Sequence, residues 1–88
     1  MAQNEIEIYT WQTCPYCIRA KSLLDGKNVN YTEHKIDGDE EARAKMIERT
    51  GGSRSLPQVC VNKDNHIGGC DDLYALEAKG QLNATLGI

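Results

Sequence analysis

The stretch Glu5-Ile6-Glu7-Ile8-Tyr9-Thr10-Trp11-Gln12-Thr13-Cys14-Pro15-Tyr16-Cys17 decides the fold. Glu5 and Glu7 alternate with Ile6 and Ile8, which predicts a strand over residues 5–10 with one wetter face. Pro15 suits the first position of a helix, where its missing N–H costs nothing. From there Cys17, Ala20, Leu23 and Leu24 fall on one helical face, and Gly26 is placed to end the helix. A strand that runs into Cys-x-x-Cys and opens a helix puts the first cysteine at the helix N-terminus. There the unpaired backbone N–H groups and the helix dipole favour an anion. The thiolate, not the thiol, attacks disulfides. Cys14 is therefore the expected attacking residue. Cys17, one turn inside the helix and more buried, is the expected resolving residue.

Working outward, residues 29–36 read as a second strand containing Tyr31 and Thr32. Asp39 is placed to cap a helix over residues 40–49, which begins acidic and ends basic. Gly51, Gly52 and Ser53 break it. Residues 59–61 form a short apolar strand after Pro57, and Asn62, Lys63, Asp64 and Asn65 a polar turn. His66 and Ile67 return as a hairpin partner. Gly68 and Gly69 then precede a helix over residues 70–79, with Gly80 at its end, and the tail adds one short helical turn. The order is strand, helix, strand, helix, strand, strand, helix. The first two strands, joined through a helix, are expected to be parallel with a right-handed crossover. The result is an α/β fold: one domain over residues 1–88, with a four-stranded mixed sheet flanked by helices.

Composition narrows the function. At 88 residues the chain suffices for one domain. Its net charge of −3, with no basic run, argues against nucleic acid. No apolar run approaches the roughly 20 residues of a membrane helix. Residues 1–7 lack a signal-peptide core, so the expected location is the cytoplasm. That setting disfavours a disulfide framework built from Cys14, Cys17, Cys60 and Cys70. Structural zinc usually takes four ligands, but nine residues and a hairpin separate Cys60 from Cys70, and His34 and His66 lie in other elements. No metal is expected, and neither histidine is assigned a catalytic role.

Three motifs occur in order: Cys14-Pro15-Tyr16-Cys17, Leu56-Pro57-Gln58 and Gly68-Gly69-Cys70-Asp71-Asp72. Together they closely resemble a dithiol glutaredoxin, and residues 66–76 look like the bacterial glutaredoxin 3 type. The resemblance spans residues 5–86. It implies a thioredoxin fold, a cis peptide before Pro57 and glutathione as reductant. It also implies a glutathione site. Leu56, with Ser55 before it, would pair its backbone with the substrate like an added strand. The helix start at Gly69 and Cys70 would receive the γ-glutamyl carboxylate. Asp71 would accept from the ammonium, and Tyr16 would pack near the substrate sulfur. The implied partners are glutathione and disulfide-containing or glutathionylated proteins, with the enzyme a monomer.

One departure stands out. Many members of that family carry lysine three residues before the first cysteine, and here that residue is Trp11. Arg43, Arg49 and Arg54 are the candidate substitutes. Cys60 is expected to be a small buried hydrophobe. Cys70 begins a helix, so the same dipole argument raises it as a second reactive thiol. Two other functions fit the motifs: a disulfide reductase driven by thioredoxin reductase, and an iron–sulfur module ligated by Cys14 and glutathione. Pro15 counts against the second by stiffening the loop.

Overall fold

The fold is built around β1 (Ile6–Thr10), an interior strand of the sheet in a computed structural model that describes residues 3–52, 54–62 and 65–88. Its neighbours are β2 (Thr32–Lys35) on one side and β3 (Gln58–Val61) on the other, and β4 (Asn65–Gly68) closes the order β2-β1-β3-β4. β1 runs parallel to β2 and antiparallel to β3, and β3 runs antiparallel to β4. Lys63 and Asp64 of the expected polar turn, Ser53 of the expected helix break, and Met1 and Ala2 lie outside the described residues.

Alternation along β1 assigns its two faces. Ile6 and Ile8 pack with Ala20 and Leu24 of α1 (Pro15–Gly26) and with Leu73 of α3 (Cys70–Ala78). Tyr9 points the other way, onto Ile36 and onto Met46 of α2 (Glu40–Arg49). Fully burying a Leu or Ile contributes roughly 1.5–3 kcal/mol, so the first and larger cluster carries most of the stability. Asp39 caps α2 as expected, its carboxylate accepting the Ala42 N–H at 3.0 Å.

Gly26 ends the first helix and the tail is helical, both as expected, while the start of β2 changes. Gly26 is the last helical residue of α1, while the left-handed residue of the turn is Asn28, with φ of 57°. β2 starts only at Thr32, although Val29 is buried in the larger cluster. The tail is a helix of its own, α4 (Leu82–Leu86). Leu82 and Leu86, four residues apart and therefore on one helical face, are both fully buried. The Asn4 side-chain amide donates to Thr85 O at 3.0 Å, which ties the N-terminal segment to this helix.

Candidate active site

Cys14 is the N-cap of α1, with extended backbone, and its Sγ accepts the Cys17 N–H at 3.2 Å. Pro15 occupies the first helical turn, where a missing donor costs nothing. One sulfur thus takes up a backbone donor that the helix itself leaves unpaired. Cys14 is half-buried, and Cys17 lies beneath it at 1% exposure. Burial, followed by the contact with Cys14, pushes the Cys17 thiol up to about 12. Cys17 is therefore a thiol at neutral pH. The two sulfurs differ in the way that the attacking and resolving roles require.

Across from the dithiol runs the segment before β3. The Cys14 Sγ lies 3.9 Å from Leu56 O, and the Leu56–Pro57 peptide is cis. The Gly68–Gly69 corner meets this segment from the other side. A Cβ on Gly69 would lie 3.2 Å from Pro57 O, and Gly68 holds φ of 126°, a conformation suited to glycine. Two non-adjacent loops therefore converge on the cysteine end of α1.

A cleft of about 420 Å³ opens between them. Tyr16, Ser55, Leu56, Pro57, Gly69, Cys70 and Asp71, the seven residues singled out above, all line it. Gln58, His66, Gly68 and Asp72 line it too. Gln58 carried a usable signal, a polar residue in an otherwise apolar strand. His66 carried none. Asp72 is committed to the helix, its Oδ2 accepting the Gly69 N–H at 2.9 Å. Asp71 is exposed and makes no such cap.

The charge distribution corrects two expectations. Among the described residues no Lys or Arg lines the cleft. Arg49 is no substitute for the missing lysine. It donates to both Glu7 carboxylate oxygens, at 2.9 and 3.0 Å, and to the Tyr9 hydroxyl at 2.7 Å, on the face covered by α2. Arg43 and Arg54 are exposed and also stand outside the cleft wall. The exposed ring of Trp11 takes no charge to the site, although its carbonyl accepts the Cys14 N–H at 3.4 Å. Cys70 is 4% exposed, and burial pushes its thiol up, the opposite direction to the lowering expected at a helix start. Cys60 is fully buried with its thiol raised by burial, as a small core residue would be.

A second cleft, of about 540 Å³, is larger but holds no cysteine. It lies between α2 and the sheet, and Glu7, His34 and Arg49 in its wall pair with one another. Glu7 accepts from Arg49 and contacts His34 Nε2 at 2.9 Å, and the His34 ring stacks on Tyr9. The smaller cleft is the candidate because it adjoins Cys14, the half-buried sulfur that caps a helix.

Two cysteines linked by the Cys17 N–H to Cys14 Sγ contact, the outer one half-buried and the inner one buried with its thiol pushed up, can exchange with a disulfide and then close on each other. On a thioredoxin fold this defines the class of thiol–disulfide oxidoreductases. The glutaredoxin family model matches residues 6–67. A probable glutaredoxin of Synechocystis is 57% identical over 82 residues, covering 93% of this chain and 74% of its own. Glutaredoxin 3 of Escherichia coli is 52% identical over 81 residues, covering 92% and 95%. A crystal structure of a buckwheat glutaredoxin–glutathione complex superposes with a TM-score of 0.83 at 29% identity, covering 94% and 76%. The chain belongs to the glutaredoxin family and is a thiol–disulfide oxidoreductase.

Proposed function

We propose that this enzyme uses glutathione to reduce protein disulfides and glutathione mixed disulfides through Cys14 and Cys17. The observation that carries the proposal is the placement of Cys14: its Sγ accepts the Cys17 N–H and lies 3.9 Å from Leu56 O, beside a cleft walled by Leu56, Pro57 and Gly69. In deglutathionylation, the Cys14 thiolate attacks the glutathionyl sulfur and the client leaves as its thiolate. A second glutathione thiolate attacks the Cys14-bound glutathionyl sulfur, giving oxidised glutathione and restoring Cys14. With a protein disulfide, the Cys14 thiolate attacks one client sulfur, and the client S–S bond breaks to release the other sulfur as a thiolate. Cys17 loses its proton and displaces the client, and two glutathiones then reduce the Cys14–Cys17 bond. Glutaredoxin potentials lie near −200 to −230 mV, close to the glutathione pool, so the net driving force is small and the reaction can run either way.

The cleft supports glutathione in four ways. The backbone of Leu56 is available for strand-like pairing. The first N–H groups of α3 suit the γ-glutamyl carboxylate, with Gly69 allowing close approach. Asp71, not engaged in capping, suits the ammonium. Tyr16, exposed at the first turn of α1, flanks the sulfur path. The reading takes the enzyme as a cytoplasmic monomer, since glutathione maintains thiols in that compartment. Among the described residues no helix is long and apolar enough to cross a membrane.

The test separates the two reactions. Cys17→Ser is expected to keep turnover of a small glutathione mixed disulfide, coupled to glutathione reductase and NADPH, and to lose reduction of a protein disulfide. Cys14→Ser is expected to lose both. Protein-disulfide turnover surviving in Cys17→Ser would remove Cys17 from its role. Folded, reduced wild type that turns over with thioredoxin reductase but not with glutathione would overturn the proposal.

A further inference from the structure

Gln58 is 3% exposed, and its side-chain amide is fully engaged inside the cleft wall. Its Nε2 lies 2.8 Å from Ser55 O and 3.0 Å from Ser55 Oγ, and its Oε1 lies 2.6 Å from His66 Nε2. A backbone carbonyl only accepts, so the Gln58 atom facing Ser55 O must be the NH2 group. The atom facing His66 is then the amide oxygen, which also only accepts. His66 Nε2 must therefore carry the proton and donate it. One chain of donors runs from His66 through Gln58 to Ser55, next to the Leu56 carbonyl that faces Cys14.

The geometry depends on an irregularity in the sheet. β4 pairs Gly68 with Val59 but His66 with Cys60, so an extra residue is inserted opposite one step of β3. Directly opposed residues share a face, and Gln58 shares that face with Cys60 because the two are separated by one residue. The bulge thus turns His66 onto the face of Gln58. Without it Ile67 would stand opposite Cys60, and His66 would be turned to the opposite face.

We propose that His66 is a positioning residue for glutathione: by donating to Gln58 it fixes the amide orientation that holds Ser55 and Leu56 in place to receive the tripeptide backbone. This rests on the glutathione reading above and adds to it a residue that need not touch the ligand. A buried amide whose oxygen has lost its donor is free to reorient, and Ser55 then loses its partner as well. Binding should suffer while the chemistry at Cys14 continues, so the effect should fall on KM.

His66→Phe keeps a planar ring and removes the donor. His66→Gln restores an N–H near the position of Nε2. The wild type and both variants are assayed with the mixed disulfide of glutathione and mercaptoethanol, and thermal melting is followed in parallel. His66→Phe should raise KM about fivefold and leave kcat within about twofold. His66→Gln should return KM to near the wild-type value. Exchange of the Gln58 side-chain amide protons, read by NMR without glutathione, should quicken in His66→Phe and recover in His66→Gln. His66→Ala gives a second donor deletion should the aromatic ring prevent folding. Unchanged KM and amide exchange in a folded donor deletion would overturn the proposal. So would a His66→Gln variant as impaired as His66→Phe, or a loss confined to kcat. Wild type lacking glutathione turnover would instead overturn the underlying glutathione reading, which separates the two failures.

Discussion

Glu7→Gln tests the electrostatics of the sheet face opposite the main core. The Glu7 carboxylate accepts from Arg49 at 2.9 and 3.0 Å and contacts His34 Nε2 at 2.9 Å, with its side chain 13% exposed. Arg49's hydrogen bonds, against an opposing effect of burial and with help from His34, hold this carboxyl down at about 2 from an ordinary 4.5. That difference corresponds to about 3 kcal/mol, and screening at the open groove reduces it to about 2 kcal/mol. The folded carboxyl is more acidic than the unfolded one. Its contribution is therefore complete above the unfolded value and disappears as pH falls through the folded value. At pH 7, Glu7→Gln should melt on the order of 10 °C below wild type, because about 2 kcal/mol is large for a domain of this size. Near pH 2 the folded wild-type carboxyl is about half protonated, most of its contribution is gone, and the two curves should draw together. Thermal denaturation followed by circular dichroism between pH 2 and 7 supplies the comparison. A gap that stays constant over that range, or no gap at pH 7, would refute the reasoning.

Trp11→Lys places a cation three residues before Cys14. It should lower KM for a glutathione mixed disulfide by up to about fivefold, an effect that fades with added salt, as an exposed charge contact does. Leu86→Ala empties a fully buried position in α4 and should cost about 2–5 kcal/mol in urea denaturation with little change in kcat of the remaining folded enzyme. Cys70→Ser should leave glutathione turnover within about twofold of wild type, since burial keeps that thiol protonated and out of the chemistry. Iodoacetamide at neutral pH should correspondingly label Cys14 well before Cys70, as peptide mapping would show.

The parts legible in the sequence were those fixed by local chemistry. Cys14-Pro15 at a strand end, Asp39 before an acidic turn, and Gly68-Gly69 before Cys70 each mark a helix start without reference to the rest of the chain. The cleft was legible only through the resemblance, because Tyr16, Leu56 and Gly69 are distant in sequence and meet through the sheet. α4 matches the short helical turn expected of the tail, but two leucines four apart are too short a pattern to show that both are buried. Their burial comes from packing against the main core. β2 begins later than its apolar residues suggest because the backbone of Asn30 pairs with the Gln3 side chain and the ladder starts only at Thr32. The His66–Gln58 contact was hidden for a different reason. It requires a bulge, and a bulge shifts the face of every residue after it without leaving a mark on the alternation of so short a strand.

The central claim is that Cys14 is the thiol that takes up glutathione. Cys17→Ser protein, reduced and then mixed with oxidised glutathione, can be analysed by intact mass and peptide mapping. The expected result is one glutathionyl group per chain, on Cys14, released by added reduced glutathione. An adduct on Cys60 or Cys70, or none on a folded chain, would contradict the account.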